Sequence, residues 1–380
     1  MMRATPALVI CLVALGAGAV LAAQGKPADK APAQTGPMVF DATTDMPKPK
    51  MGDAGILPNA AGLDAGTAND AATPVTAPLP RGLDDQTTAV GPRTKGWTEQ
   101  DRYESVHFSI VADVKDDAYF HRLQNDLEKH FSHLQKEFWD YIPPLYRESH
   151  MTIMAFGSQG VFDEFAAKDS GLPRGQKGYS NAKTERIVYV RQQVYYRDVM
   201  ILVHEMTHMF NRFCLGRAPL WLDEGMAQYY SYYAGQESGN GSIRSGVNPD
   251  ALKVIDAALK NGTFVEVADL FDMDDGAFYG DNTEEETPTV NYAESWALVY
   301  YLRRGATDGD EQFSEFYEAL VHGQDPYDAF VSVYGDNRDL FSQMWIEYLQ
   351  QLYKGALGRE AAARGAKEPV RGNDRGKRTR

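Results

Sequence analysis

The sequence predicts an α+β domain in which β-strands come first and helices follow. Alternating apolar and polar residues in YESVHFSIVAD, which starts at Tyr103, predict a strand, and the short apolar runs MTIMAF and RIVYV predict two more. From about Arg197 to about Tyr353 the patterns are mostly helical. Because the strands precede the long helical part, the pattern favours an α+β domain over an alternating parallel sheet.

A long helix is predicted between the first strand and the second. Apolar residues recur there at intervals of three and four, at Phe120, Leu123, Leu127, Phe131, Leu134 and Phe138. This spacing places them on one face of a helix. Pro143 and Pro144 are expected to end the helix, since proline cannot continue it. His130 and His133 share a helix face but lack a third metal ligand, so we expect solvated side chains there.

The residues ahead of this domain divide into an export signal and a linker. Arg3 precedes a small apolar run that ends at Leu21, which is typical of a cleaved signal peptide over residues 1–22. The alternative is a membrane anchor, but the run falls short of the roughly 20 residues that a span needs. Residues 23–96 are dominated by Ala, Pro and Gly, with Phe40 as their only aromatic residue. They cannot bury enough apolar surface to offset chain entropy, so we expect a disordered linker or pro-segment.

Composition and charge bound the class of protein. The folded domain is predicted over residues 97–353, and a basic disordered tail over residues 354–380. The net charge of −15 argues against nucleic acid as a partner, because phosphate binding needs a basic face. The export signal predicts a periplasmic, cell-envelope or extracellular protein with no stable membrane span after cleavage. Cleavage would remove Cys11 and leave Cys214 without a disulfide partner, so we expect a buried thiol at Cys214.

The segment HEMTHMFNRFCLGRAPLWLDEG carries the residues that indicate chemistry. In a helix, His204 and His208 stand one turn apart on the same face, so both imidazoles can reach one ion. Glu205 lies next to that face, where it can hold a metal-bound water and accept its proton. Glu224 follows in a second helix, which Pro219 can open, and it is the candidate third ligand.

These residue types predict a catalytic Zn²⁺ site. A catalytic zinc needs three protein ligands and one open position for water, and His204, His208 and Glu224 would provide the three. One alternative is a core helix whose histidines are satisfied by hydrogen bonds. Another is a non-catalytic zinc-containing binding or structural module of the cell envelope. A structural zinc usually closes its fourth position with Cys or His, and none is spaced for that here.

HEMTH followed by WLDEGMAQYY resembles the gluzincin metallopeptidases. The flanking strands and the later NYAESWALVYYL resemble their peptidase MA-like branch, which is often found in exported bacterial proteins. The resemblance covers about residues 103–349 and implies a zincin-like metallopeptidase that acts on a protein or peptide substrate. It also implies that His204, His208 and Glu224 hold zinc and that Glu205 is the general base.

The same resemblance implies a role for Tyr292 in NYAESWALVYYL, as a hydroxyl donor to the oxyanion of the tetrahedral intermediate. The alternative is that Tyr292 only packs the start of a helix. The exopeptidase signature of a strand ending Met-Glu-Asn is absent, which favours an endopeptidase. Gln228 stands where some relatives have an acidic residue behind the metal, and whether Asp223 serves instead is open. The acidic run at residues 272–286 is expected to be a solvated loop that could rim a cleft for basic substrates.

Overall fold

The computed structural model describes most of the chain beyond residue 95. The described ranges are 96–181, 184–238, 246–279, 287–305 and 308–367. The export signal predicted at 1–22, the linker predicted at 23–96 apart from its last residue, and the last part of the predicted tail lie outside these ranges. Among the helices of these ranges, none has both the length and the apolar composition that crossing a membrane demands.

Five strands form one mixed sheet in the first half of the domain. They are β1 (Asp101–Glu104), β2 (Phe108–Ala112), β3 (Met151–Phe156), β4 (Gly178–Asn181) and β5 (Arg186–Val190). Their order across the sheet is β1-β2-β3-β5-β4; β2, β3 and β5 are parallel, and the two edge strands are antiparallel to their neighbours. YESVHFSIVAD, predicted as one strand, is a hairpin of β1 and β2, closed by a 2.8 Å hydrogen bond from the amide of Ser105 to the carbonyl of Phe108.

Eleven α-helices lie in the described ranges. They are α1 (Asp117–Glu137), α2 (Gln159–Ser170), α3 (Tyr195–Leu215), α4 (Leu220–Ser238), α5 (Pro249–Asn261), α6 (Val267–Asp272), α7 (Asp275–Tyr279), α8 (Thr287–Arg304), α9 (Gly309–Val321), α10 (Pro326–Tyr334) and α11 (Arg338–Lys367). The α+β class predicted from the sequence is confirmed. Within the first half, however, α1 and α2 lie between parallel strands, so that half does alternate strand and helix.

The sheet separates two apolar layers. Ile153 and Ile187 face the larger core, which the predicted apolar face of α1 and the inner faces of α3, α4 and α8 also line. Met154 and Val188 face a smaller core covered by α2. Alternate residues of one strand therefore enter different layers, as the pleat requires. Helix α3 packs on β4 and β5 and against α4, and α4 in turn packs against α8.

Two sequence predictions differ from the structure at helices. His130, expected to be solvated, is buried, because it follows Leu127 by three positions and so lies at the border of the apolar face of α1; His133 is exposed as expected. Helix α11 continues to Lys367, so the first part of the predicted tail at 354–380 is helical. The alanine-rich segment GREAAARGAK has high helix propensity, which accounts for a helix at this position.

Candidate metal centre

Helix α3 holds the two histidines in the middle of its length, and its start is anchored by Asp198. The amide of Gln192, in the loop before α3, donates a 2.7 Å hydrogen bond to Oδ1 of Asp198, and the hydroxyl of Tyr119 donates to Oδ2. Both contacts satisfy a buried carboxylate in the first turn, where the helix dipole also favours negative charge. The entry of α3 is thus tied to both the sheet and α1.

A short turn connects α3 to α4 and places the second helix against the first. Gly216, with φ of 67°, takes a backbone conformation that favours glycine at the end of α3. The carbonyl of Pro219 then accepts hydrogen bonds from the amides of Leu222 and Asp223, at 3.1 and 2.9 Å, which begins α4. Pro219 therefore opens the second helix, as the sequence predicts.

His204, His208 and Glu224 converge in the buried space between α3 and α4. The two Nε2 atoms are 3.1 Å apart, and Oε2 of Glu224 lies 3.4 Å from Nε2 of His204 and 3.7 Å from Nε2 of His208. A tetrahedral zinc bound at about 2.0–2.1 Å would set its ligand atoms about 3.3–3.4 Å apart. The three side chains therefore fit the donor set and the spacing of a zinc site.

Asp223 occupies the position behind His208. Its Oδ1 is 3.0 Å from Nδ1 of His208, which leaves Nε2 of that ring to face the other ligands. The amide of Asn211 donates a 2.8 Å hydrogen bond to the same Oδ1, and the hydroxyl of Tyr317 on α9 donates to Oδ1 of Asn211 at 3.2 Å. Asp223 thus provides the acidic group beside a metal-ligand candidate, a group that Gln228 lacks.

Glu205 and His208, both buried in this centre, have shifted pKa values. Burial raises the pKa of Glu205, and the neighbouring histidines only partly offset it. Burial by itself would lower the pKa of His208, but Asp223 and Glu224 outweigh it and raise this pKa to about 10. Three carboxylates thus surround two imidazoles in a buried space. A divalent cation would supply the charge that compensates them.

Glu205 lies on the side of α3 that faces the sheet edge, where it is fully buried. A Cβ atom at Gly178 would be 2.6 Å from Cγ2 of Ile201 and 3.6 Å from Cγ of Glu205, so glycine allows β4 to lie this close to α3. Ser180 on the same strand favours the charged form of Glu205. The general-base candidate therefore sits between the metal ligands and an edge strand.

Helix α8, which carries Tyr292, packs on α4. A Cβ atom at Gly225 would be 2.4 Å from the carbonyl oxygen of Ser295, so glycine at this position permits the close approach of α4 and α8. Tyr292 is one turn before Ser295 and is buried. Its ring lies 5.5 Å from that of Phe278 and 6.3 Å from that of Tyr279, measured between centroids. The role of Tyr292 as an oxyanion donor stays a prediction.

Tyr279 is a residue at the centre that the sequence patterns do not predict. Its hydroxyl donates a 3.0 Å hydrogen bond to Oε1 of Glu224. It belongs to the acidic run at 272–286, which was expected to be a solvated loop; Asp272, Asp274 and Asp275 are indeed exposed, and residues 280–286 lie outside the described ranges. The available signal was the pair of aromatic residues in GAFYG, which is unusual in a solvated acidic loop.

Cys214 lies near the end of α3 and takes no part in the ligand group. Its thiol is buried, as the sequence predicts, and burial raises its pKa to about 12. A thiol that stays protonated at neutral pH is a poor metal ligand and a poor nucleophile. The ligand candidates of this centre are nitrogen and oxygen atoms.

The chain is similar to a protein family and to solved structures of known proteins. A family described as "Protein of unknown function (DUF1570)" matches residues 198–324, which include all three metal-ligand candidates. The chain is also similar to the "Structure of native yeast LTA4 hydrolase", with a TM-score of 0.39 and 16% sequence identity over 64% of this chain and 37% of that chain. This chain thus spans less than half the length of that protein. No curated protein matches the chain.

Proposed function

We propose that this protein is a zinc-dependent metallopeptidase that hydrolyses peptide bonds. The observation that carries the proposal is the triangle of two imidazole nitrogens and one carboxylate oxygen, with a second glutamate, Glu205, beside it. His204, His208 and Glu224 would hold the ion. When bound, zinc would polarise the substrate carbonyl and lower the pKa of a water molecule. Three ligands leave one coordination position for that water.

Glu205 is the group that would take the proton from the attacking water. It follows His204 directly in α3, so its carboxylate is held beside the ligands by the same rigid helix. It would then carry the proton to the leaving amine. Tyr292 would donate a hydrogen bond to the oxyanion as the carbonyl becomes tetrahedral. Both groups are presented by helices that pack on α4, which carries Glu224.

The sheet edge beside Glu205 supports a polypeptide substrate. Strand β4 ends the sheet on the side of α3, and it pairs with β5 through one of its two edges. An extended peptide can pair with an edge strand through its backbone, which gives affinity with little dependence on sequence. An internal stretch of peptide would satisfy this contact as well as a terminus, in accord with the endopeptidase that the sequence favours. We also propose, from the export signal alone, that the enzyme acts outside the cytoplasm.

One observation favours a second function, a structural zinc in a non-catalytic module. The side chains of Glu205 and Glu224 are wholly buried, and those of His204 and His208 nearly so. A metal enclosed in this way can stabilise a fold without contacting a substrate. In that case the chain would bind zinc tightly and hydrolyse nothing.

A cleavage assay with matched variants separates the two functions. The purified chain, supplied with zinc, should cleave an unfolded protein such as a reduced and alkylated polypeptide. Glu205→Gln should keep its zinc and lose turnover by about 10²- to 10⁴-fold, because only the proton acceptor is removed. As the control, Glu164→Gln alters an exposed glutamate on α2 and should cleave at the wild-type rate. Zinc-loaded wild type that cleaves no faster than Glu205→Gln would support the structural module and refute the peptidase.

A further inference from the structure

The two carboxylate oxygens of Glu224 have different partners, and one of these partners is Tyr279. Its phenol hydroxyl donates to Oε1 at 3.0 Å, whereas Oε2 is the oxygen that faces the histidines, at 3.4 Å from His204 and 3.7 Å from His208. One oxygen thus has a neutral hydrogen-bond donor, and the other completes the ligand triangle. The side chain of Glu224 is wholly buried, so bulk water does not replace either of these contacts.

The position of Tyr279 is set by contacts that do not involve Glu224. The side-chain amide of Asn291 on α8 donates hydrogen bonds to the carbonyl oxygen of Phe278, at 2.8 Å, and to that of the preceding residue, at 3.3 Å. The ring of Phe278 is fully buried and meets the ring of Tyr292 edge to face. Helix α7 is therefore held on α8, and this arrangement presents the Tyr279 hydroxyl to the carboxylate.

The chemistry of a carboxylate ligand makes this contact consequential. A glutamate can bind a metal ion with one oxygen or with both, and the second oxygen would occupy the position that a catalytic zinc keeps for water. A hydrogen-bond donor on one carboxylate oxygen engages a lone pair of that oxygen, which is then less available to the ion. The same hydrogen bond fixes the orientation of the carboxylate. The hydrogen bond from Tyr279 to Glu224 therefore favours binding through Oε2 alone.

We propose that Tyr279 is a positioning residue for the ligand Glu224, which keeps this carboxylate monodentate and the fourth coordination position open. The proposal rests on the proposed function, because it requires that a metal ion be held by His204, His208 and Glu224. Tyr279 acts through Glu224, in contrast to Tyr292, which is predicted to contact the reacting carbonyl. The two tyrosines at the junction of α7 and α8 thus have different roles.

Tyr279→Phe tests the proposal in the full-length chain without any substrate. Zinc affinity is measured by competition with a chromophoric chelator, and coordination is read from the visible absorption of the protein loaded with Co²⁺. We expect the zinc dissociation constant to rise about 10- to 100-fold, as is typical when a partner of a ligand is removed. We also expect a changed Co²⁺ absorption spectrum, because a second carboxylate oxygen would enter the coordination shell, in place of the water or beside it.

Tyr195→Phe is the matched control. It removes a 2.8 Å hydrogen bond from a half-buried tyrosine to the carboxylate of Asp126, at the start of α3 and away from the ligands. Zinc affinity and the Co²⁺ spectrum should stay at their wild-type values in this variant. If wild type binds metal and Tyr279→Phe matches it in both measurements, the positioning role is overturned while the metal site stands. A wild-type chain that binds neither ion refutes the proposed function, and this inference with it.

If circular dichroism shows that Tyr279→Phe does not fold, a second variant tests the proposal. Asn291→Leu keeps a side chain of similar volume but removes both hydrogen bonds to α7. Tyr279 would then no longer be held against Glu224, so zinc affinity and Co²⁺ absorption should change in the same direction as in Tyr279→Phe. Wild-type values of both quantities in folded Asn291→Leu would contradict the proposal.

Discussion

Asp223 shows how a single side chain can organise the centre. Its carboxylate is 3.0 Å from Nδ1 of His208 and accepts a hydrogen bond from Asn211, so it orients the imidazole and is itself held in place. It precedes Glu224 directly, and because successive side chains of a helix point about 100° apart, the two carboxylates lie near different nitrogens of His208, Asp223 near Nδ1 and Glu224 near Nε2. One turn of α4 thus supplies both a candidate ligand and the residue that orients another.

At the same scale, Tyr292→Phe tests the predicted oxyanion donor. The substitution keeps the ring and its packing on Phe278 and removes only the hydroxyl. If that hydroxyl stabilises the transition state, kcat should fall by roughly 10²- to 10³-fold with KM and zinc content nearly unchanged. Steady-state kinetics on a peptide substrate measure both constants.

Tyr301→Phe is the control, since Tyr301 is equally buried on α8 but packs against Phe341 and Tyr348. It should turn over at a rate within about twofold of wild type. A Tyr292→Phe enzyme that behaves like this control would remove Tyr292 from the mechanism and leave the metal centre in place.

At the scale of elements, helices α3 and α4 are predictable from the sequence and β4 is not. The spacing of His204, His208 and Glu224 combines helical periodicity with a proline start, and both are local signals. The strand GYSN at 178–181 is short and has no β-branched residue, so its pairing with β5 depends on contacts distant in sequence. The Tyr279 contact depends in the same way on how α7 packs against α8, which no local pattern encodes.

Gly225→Ala tests the close packing of α4 on α8. Alanine is favoured over glycine inside a helix by up to about 1 kcal/mol, but a methyl group here would lie 2.4 Å from the backbone oxygen of Ser295. The backbone cannot rotate away, so overpacking should dominate and lower the free energy of unfolding by about 1–3 kcal/mol. Chemical denaturation of the metal-free protein measures this quantity.

Gly355→Ala on α11 provides the contrast, because nothing lies within 4 Å of a Cβ atom at that position. There the helix propensity acts alone, and the variant should gain about 0.5–1 kcal/mol. If Gly225→Ala were stabilised to the same extent, α8 would not lie as close to α4 as the structure has it.

For the whole molecule, the order of strands and helices predicts the class but not the sheet. The apolar runs MTIMAF and RIVYV are buried on both faces, which is typical of parallel central strands. The crossover α1 was recognised from its apolar face, whereas α2 was not, because its apolar residues lack a clear helical repeat. Helix α11 continues past residue 353, and Ala356 still belongs to the larger core.

Metal binding should stabilise the folded domain as a unit, because the ligands come from two helices that unfolding separates. An ion that binds only the folded state stabilises it by about 2.7 kcal/mol at 100 times its Kd. For a domain of this size, that should raise Tm by about 5–10 °C over the chelator-treated protein. Thermal unfolding followed by circular dichroism, with and without added zinc, measures the shift. Equal Tm values in the two conditions would contradict a metal site between α3 and α4.

The metal content of the purified protein shows whether His204, His208 and Glu224 hold one zinc ion. Inductively coupled plasma mass spectrometry on the wild-type chain, after exhaustive dialysis, should find close to one zinc per chain. The double variant His204→Ala/His208→Ala should contain nearly none, because one carboxylate cannot retain zinc alone, while its circular dichroism spectrum should remain that of a folded protein. Stoichiometric zinc in the folded double variant, or its absence from zinc-supplied wild type, would contradict the account.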